Sequence, residues 1–156
     1  MTVRIVIADD HPIFRHGLRA ALSGDPDIEV VGEAADGAEA AQAAQAAQEH
    51  QADVVLMDLQ MPGTSGLDAI RELTMSAPGI AVVVLTMFDN DESLFTAMRA
   101  GARGYLVKGA TEEQIVRAII TVSAGDVLFG SGVAGRALAY FSAANPSGGP
   151  PDPSQS

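Results

Sequence analysis

Short apolar runs alternate along the chain with segments in which apolar residues recur at helical spacing. The runs occupy residues 3–8, 28–34, 54–57, 80–85 and 105–107. Most of them contain several β-branched residues and few polar ones, which is typical of strands buried on both faces of a parallel sheet. The pattern therefore predicts five strands.

The segments between these runs are predicted to be helices. Pro12 suits the first turn of a helix whose apolar face comprises Ile13, Phe14, Gly17, Leu18, Ala21 and Leu22. Further helices are predicted over 38–51, which is rich in Ala and Gln, and over 66–76, 89–100 and 111–123. Thr111 and Gln114 have the spacing of a capping box at the start of the last helix. This alternation predicts an α/β fold with a doubly wound, five-stranded parallel sheet of flavodoxin-like order 2-1-3-4-5 and helices on both faces.

The composition and charge of the chain narrow the classes of function. At 156 residues, with a formal net charge of -11 and an isoelectric point near 4.4, it has no basic surface for nucleic acid. It contains no Cys, which excludes disulfides and thiolate metal sites. It shows neither a signal-peptide pattern nor an apolar run of about 20 residues. We therefore expect a single-domain cytoplasmic protein with no membrane partner.

Polar residues suited to phosphoryl chemistry stand at the ends of four predicted strands. Asp9 and Asp10 follow the first strand, Asp58 the third, Thr86 the fourth and Lys108 the fifth, whereas the second strand ends without a polar residue of note. The first and third strands flank the switch point of the predicted sheet, so their carboxylates should converge in one crevice. The sequence therefore predicts an acidic crevice with a hydroxyl and an ammonium group at its edge.

A carboxylate cluster of this kind needs a cation. Two carboxylates about 4 Å apart repel each other by roughly 4 kcal/mol at an effective dielectric constant of about 20, which favours a counter-ion or raised pKa values. Oxygen ligands with open water positions suit Mg²⁺ better than Zn²⁺ or copper. With Mg²⁺ and Lys108 offsetting the charge of a phosphoryl group, Asp58 is placed to attack its phosphorus in line.

Each of these residues also has an ordinary structural interpretation. Taken alone, a pair such as Asp9 and Asp10 after a strand caps the following helix more often than it binds a metal, and Thr86 and Lys108 are common residues at strand ends. Their joint occurrence at four strand ends in this order is the more specific observation. It favours the phosphoryl site.

Four segments of the chain resemble the receiver domain of bacterial two-component response regulators, in particular the NarL/FixJ class of LuxR-type transcription factors. These segments are 7–15 (IADDHPIFR), 58–63 (DLQMPG), 84–86 (VLT) and 101–108 (GARGYLVK). The resemblance covers residues 2–125 and implies that this range is a phosphoacceptor domain.

The resemblance implies a role for each residue of the crevice. Asp58 would accept a phosphoryl group from a phosphohistidine on a sensor histidine kinase. Asp10, Asp58 and the backbone carbonyl of Gln60 would ligate Mg²⁺, and Asp9 would act through water. Lys108 would bind a phosphoryl oxygen.

The resemblance also implies a conformational response. Thr86 would swing toward the acyl phosphate, and Tyr105, on a short edge strand, would follow it as the switch aromatic. The chain is then expected to be a signalling switch rather than a turnover enzyme, catalysing only its own phosphorylation and slow dephosphorylation. Gly109 follows Lys108 where many receivers have Pro, so no cis peptide bond is expected there.

The chain changes character after residue 125. Residues 126–143 are interpreted as an apolar segment with a short linker helix over 133–141, and residues 144–156 as a disordered linker rich in Pro, Gly and Ser. Members of this class continue into a helix-turn-helix output domain, which this sequence lacks. DNA binding is therefore expected only through a part of the protein outside this sequence.

The last predicted helix carries more apolar surface than one core contact requires. Ile115, Ile119 and Val122 form a stripe that should face the sheet, while Val116 and Ile120 form a second stripe. The second stripe is interpreted as part of a wide core face, as a homodimer contact with another receiver, or as a contact with 133–141.

Two other functions compete with this interpretation. A phosphate-independent, receiver-like interaction module would not need the complete set of acidic and basic residues. An enzyme is the other alternative, but a haloacid-dehalogenase-type hydrolase requires a second acid where Gln60 stands. A flavin carrier requires a Gly-, Ser- or Thr-rich loop after the first strand, where the chain has Asp-Asp-His-Pro.

Overall fold

A computed structural model describes residues 2–36, 39, 52–60, 66–87 and 90–129. In these ranges the strands are β1 (Val3–Ala8), β2 (Ile28–Ala34), β3 (Val54–Met57), β4 (Ala81–Thr86), β5 (Gly104–Val107) and β6 (Leu128–Phe129). The helices in the same ranges are α1 (Pro12–Ser23), α2 (Gly66–Ser76), α3 (Asp91–Ala100) and α4 (Glu112–Ser123). None of these helices combines the length and apolarity that a membrane crossing requires. The helices predicted over 38–51 (apart from residue 39) and 133–141, and the linker over 144–156, lie outside the described residues.

The strands of the sheet run parallel in the order β2-β1-β3-β4-β5-β6. This confirms the predicted order of the first five strands, but the prediction of five strands with β5 at the edge is wrong. β6 pairs with the outer side of β5, with Phe129 opposite Tyr105. A turn at Gly125, whose φ is 96°, precedes this strand, and the Leu128 N–H donates to the Arg103 carbonyl (2.9 Å). The sheet therefore continues to residue 129.

The sheet separates two apolar cores. Alternate residues of β3 point to opposite faces, so Val55 lies in the core under α2 and α3, and Leu56 lies in the core under α1 and α4. Phe95 of α3 and Ile119 of α4 are among the largest fully buried side chains, and burial of such a side chain contributes about 1.5–3 kcal/mol. The prediction of helices on both faces is confirmed.

The start of α4 has the predicted capping box, whereas the predicted apolar face of α1 is partly wrong. Thr111 Oγ1 accepts the Gln114 N–H (3.2 Å) and the Gln114 side chain accepts the Thr111 N–H (2.8 Å), so the capping box is present. In α1, Leu18 and Leu22 are buried as predicted, but Ile13 is 89% exposed. At 100° per residue, Ile13 lies about 140° around the helix from Leu18. Its inclusion in the predicted apolar face is therefore wrong.

The two predicted stripes of α4 have different surroundings. Ile115, Ile119 and Val122 are buried against the sheet, which confirms the first stripe. Val116 is half-buried, and Ile120 is 40% exposed. The second stripe thus leaves apolar surface outside the core.

Candidate functional site

The carboxyl ends of β1, β3, β4 and β5 bring four of the predicted site residues to one edge of the sheet. Asp9 follows β1, Asp58 follows β3, Thr86 ends β4 and Lys108 follows β5. The Asp58 N–H donates to the Ala8 carbonyl (2.9 Å), and the Lys108 N–H donates to the Thr86 carbonyl (2.8 Å). The parallel register of the strands therefore fixes the backbone positions of these residues around one crevice.

The Lys108 ammonium group lies between two carboxylates. Its Nζ is 2.8 Å from Asp9 Oδ2 and 3.1 Å from Asp58 Oδ2, and its side chain is 8% exposed. Burial by itself lowers the pKa of a lysine, but the two carboxylates outweigh this effect, so the pKa of Lys108 is raised. Lys108 is therefore a fixed positive charge beside Asp58 at neutral pH.

The two carboxylate oxygens of the buried Asp58 have different partners. Oδ1 accepts the backbone N–H of Gln60 (3.0 Å), and Oδ2 accepts a hydrogen bond from Lys108 Nζ. Burial raises the pKa of Asp58, although the hydrogen bonds from Gln60 and Lys108 oppose the increase. Asp58 is thus a buried carboxylate that has one oxygen bound by a backbone N–H and the other by the Lys108 ammonium.

Asp9, Asp10 and Asp58 form the predicted acidic cluster, together with His11. One ligand atom from each of the four residues lies within 4.8 Å of the others. Asp10 Oδ1 is buried, and in the described part of the chain it has no hydrogen-bond partner. The ring Nδ1 of His11 lies 3.1 Å from this oxygen, but its hydrogen bond is with Asp9 Oδ1 (3.2 Å). Burying a carboxylate oxygen without a hydrogen bond costs free energy. The neighbouring carboxylate oxygens are ligands that suit a hard divalent cation such as Mg²⁺.

Neither Asp9 nor Asp10 is the N-cap residue of α1, so the capping alternative is wrong. The N-cap of α1 is His11, which makes no side-chain capping hydrogen bond. Asp9 Oδ1 accepts the backbone N–H of His11 (2.8 Å) within the loop before the helix. Gln60, the fourth predicted metal ligand, lies in the exposed loop after Asp58, and its role stays a prediction.

The two predicted switch residues are both buried. Thr86 is fully buried at the end of β4. Tyr105 is 4% exposed, lies opposite Val84 in the sheet, and packs in the core under α2 and α3. Movement of the Tyr105 side chain would therefore require repacking of that core. The switching role of both residues stays a prediction.

The interpretation that β2 ends without a polar residue of note is wrong, because Glu33 is joined to the site. Glu33 Oε1 accepts a hydrogen bond from Arg15 Nε (2.8 Å), and Arg19 pairs with Oε2. Arg15 also donates from Nη1 to the backbone carbonyl of Asp9 (2.6 Å). The spacing of Arg15 and Arg19 places both on one face of α1, but it does not show that this face meets β2. Arg15 thus connects Glu33 of β2 to the backbone of the acidic loop after β1.

Replacing Glu33 with Gln is expected to lower the free energy of unfolding by about 1 kcal/mol at neutral pH. Burial raises the pKa of Glu33, but hydrogen bonds and charges from Arg19 and Arg15 outweigh it, so the pKa is lowered. A lowered folded-state pKa stabilises the fold above the pKa of the unfolded chain, and this stabilisation is lost as the pH falls through the folded value. Urea denaturation at neutral pH and at about pH 3 should show that the difference in stability between the wild type and Glu33→Gln becomes smaller in acid. An equal difference at both pH values would contradict this.

Gly66, the first residue of α2, packs directly against the backbone that carries Asp58. A Cβ at this position would clash with the Asp58 carbonyl oxygen and lie 2.8 Å from Leu59 Cα. Both are backbone atoms, so the loop itself would have to move. The close approach therefore requires a residue without a side chain.

Comparisons with known proteins show what the chain is similar to. Residues 5–120 match the family described as response regulator receiver domain. The oxygen regulatory protein NreC of Staphylococcus carnosus (strain TM300) is 46% identical over 125 residues, which are 80% of this chain and 56% of NreC. The transcriptional regulatory protein YxjL of Bacillus subtilis (strain 168) is 37% identical over 127 residues. The chain spans 56% of the length of NreC and 57% of the length of YxjL.

Two solved structures have the same fold. A two-component response regulator of the LuxR family from Aurantimonas sp. SI85-9A1 has a TM-score of 0.78 at 34% identity, covering 87% of this chain and 95% of that one. The signal receiver domain of NarL from Mycobacterium tuberculosis has a TM-score of 0.73 at 35% identity, covering 80% and 98%. In both cases the match includes nearly all of the solved chain.

Proposed function

The chain belongs to the response regulator receiver domain family and is a bacterial receiver of the NarL/LuxR type, and on that basis we propose that Asp58 is its phosphoacceptor. The observation that carries the proposal is the position of Lys108 Nζ, 3.1 Å from Oδ2 of this buried carboxylate at the end of β3. The donor would be a phosphohistidine of a sensor histidine kinase. We place this exchange in the cytoplasm.

Phosphoryl transfer needs an ionised nucleophile and a phosphoryl group whose charge is stabilised. One Asp58 oxygen attacks phosphorus in line and forms an O–P bond as the N–P bond of the phosphohistidine breaks. The leaving imidazole keeps the bonding electron pair and takes up a proton, and the product is an aspartyl phosphate. Lys108, which contacts Asp58 Oδ2 beforehand, would offset the charge on the phosphoryl oxygens.

Mg²⁺ is the cation that the acidic cluster would hold. Asp10, Asp58 and the Gln60 carbonyl would be its protein ligands, and Asp9 would contact it through water. Support comes from the buried Asp10 oxygen, which has no hydrogen-bond partner among the described residues, and from the three neighbouring carboxylates. When bound, the ion would supply positive charge to the phosphoryl oxygens.

Hydrolysis would reset the receiver, which acts as a signalling switch. A water attacks phosphorus, the O–P bond to Asp58 breaks, and the carboxylate is regenerated as inorganic phosphate leaves. While the phosphoryl group is present, its charge would draw the Thr86 hydroxyl toward it and allow Tyr105 to follow. DNA binding and transcription regulation would depend on a helix-turn-helix domain outside this sequence.

Intact-mass analysis after incubation with Mg²⁺ and acetyl phosphate tests the proposal. The wild type should gain one phosphoryl group, and Asp58→Asn should gain none because an amide is a poor nucleophile. Asp53→Asn is the matched control. The Asp53 carboxylate lies at the opposite end of β3 and accepts the Arg4 N–H (2.9 Å), so its loss should leave the adduct unchanged.

Two outcomes would contradict the assignment. An adduct on Asp58→Asn would show that another residue is the phosphoacceptor. No adduct on the wild type, from acetyl phosphate or from a panel of histidine kinases, would favour the alternative of a phosphate-independent interaction module.

The outer face of α4 is proposed as a contact between two receivers. Ile120 is 40% exposed, and Val116 beside it is half-buried and packs partly against the core, so the two leave an exposed apolar strip on α4. The double substitution Val116→Glu and Ile120→Glu should convert a phosphorylated dimer to monomer in sedimentation velocity, because it places unpaired charges in the contact. Ile13→Glu is the matched control on α1, where Ile13 is 89% exposed. A dimer that persists in the double variant would exclude this strip.

A further inference from the structure

The aromatic ring of Phe14 faces the buried ammonium group of the site. Lys108 Nζ lies over the ring, 4.5 Å from its centroid. Phe14 is near the start of α1, is partly buried, and packs against the core under α1 and α4. The proposed chemistry gives Phe14 no role, and its helical spacing indicates only an apolar residue.

An ammonium group has three N–H donors, and those of Lys108 have unequal surroundings. Asp9 Oδ2 at 2.8 Å and Asp58 Oδ2 at 3.1 Å are acceptors for two of them. Nζ also faces the ring of Phe14. An aromatic face attracts a cation most strongly where water is excluded, and the Lys108 side chain is 8% exposed.

We propose that Phe14 is a positioning residue that holds the Lys108 ammonium at the reaction site through a cation–π contact, and this rests on the proposed phosphoryl transfer to Asp58. A ring face attracts the charge without fixing a hydrogen-bond direction. The ammonium can therefore exchange a carboxylate oxygen for a phosphoryl oxygen while it keeps the ring contact. A polar side chain at position 14 would instead compete for one of the N–H donors.

Packing alone is the alternative explanation for an aromatic residue at position 14. In that case the volume of Phe14 matters and the charge distribution of its ring does not. The two explanations are separated by changing the ring electrons at nearly constant volume.

The contact itself is tested by the NMR resonances of the Lys108 ε-methylene protons in the unphosphorylated protein. The ring current of Phe14 should shift these protons upfield in the wild type and in Phe14→Tyr. The shift should disappear in Phe14→Leu, which keeps an apolar side chain. Equal resonances in the wild type and Phe14→Leu would overturn the proposal.

The effect on transfer is tested by site-specific replacement of Phe14 with phenylalanines that carry one, two or three ring fluorines. Each fluorine reduces the negative electrostatic potential of the ring face and changes the side-chain volume little. The initial rate of Asp58 phosphorylation by acetyl phosphate should fall stepwise, by about two- to tenfold over the series. Phe95 is the matched control because it is fully buried in the other core, and its fluorination should leave the rate unchanged.

The outcomes for Phe14 and for Asp58 are distinguishable. A constant rate across the Phe14 series, with a wild type that is phosphorylated, would overturn the positioning role. A wild type that gains no phosphoryl group would refute the proposed function, while the Lys108 resonances would still decide whether the ring holds the ammonium. The fluorinated series also remains decisive if Phe14→Leu fails to fold.

Discussion

Substituting Lys108 with Met is expected to slow phosphorylation of Asp58 by about a hundred- to a thousandfold. The ammonium lies 3.1 Å from Asp58 Oδ2, so its charge is in place before the phosphoryl group arrives. Methionine is a flexible, unbranched side chain that can fill the same space without the charge. The growth of the mass adduct with time in acetyl phosphate measures the rate.

The same substitution should raise the affinity for Mg²⁺, although it lowers the rate of phosphorylation. Lys108 Nζ now lies between the carboxylates of Asp9 and Asp58, and without it their charge attracts a divalent cation more strongly. Isothermal titration calorimetry should therefore show tighter Mg²⁺ binding in Lys108→Met than in the wild type. This combination distinguishes the loss of a catalytic charge from the loss of the folded crevice, which would weaken metal binding.

Arg103→Met is the matched control for Lys108→Met. Arg103 donates from Nη2 to the Pro78 carbonyl (3.3 Å), near the amino ends of β4 and β5. Its removal takes one positive charge from the protein but none from the crevice, so rate and Mg²⁺ affinity should stay at wild-type values. An unchanged rate in Lys108→Met would contradict the role of Lys108.

Replacing Gly66 with Ala is expected to lower the free energy of unfolding by about 1–3 kcal/mol. The added Cβ would meet the backbone of Asp58 and Leu59, so either α2 or the loop after β3 must move. Because that loop carries the proposed nucleophile, transfer to Asp58 should also slow. Urea denaturation followed by far-UV circular dichroism measures the first effect, and the mass adduct measures the second.

Gly17→Ala provides the control for the Gly66 substitution. A Cβ on Gly17 would meet no atom within 4 Å, and Gly17 lies inside α1. Since Ala favours a helix interior over Gly, this variant should be more stable by about 0.5–1 kcal/mol. If Gly66→Ala were as stable as the wild type, the contact between α2 and the loop would not be as close as the structure has it.

The central strands could be predicted because burial on both faces leaves apolar runs such as Val54–Met57. β6 could not be predicted in the same way, because Leu128 and Phe129 are too few to form a pattern. The pairing of Phe129 with Tyr105 depends on where α4 returns the chain to the sheet. That position is a property of tertiary packing rather than of local sequence.

The convergence of Asp9, Asp58 and Lys108 could be predicted because parallel strands have their carboxyl ends at one edge of the sheet. The connection from Glu33 through Arg15 could not, because it depends on how α1 is rotated on the sheet. The same rotation decides which apolar residues of α1 are buried. Helical spacing alone therefore gives a wider apolar face than the sheet covers.

Within the described residues, the two outer strands of the sheet have features that oppose the addition of a strand from another molecule. β2 carries Glu29 and Glu33, and its pairing with β1 shifts register between Ile5 and Val6. β6, at the other edge of the sheet that the described residues form, has two described residues. Charged residues, irregular register and short outer strands are features that prevent edge-to-edge aggregation. We therefore expect concentrated solutions of this protein, whose net charge is -11, to remain free of intermolecular β-structure.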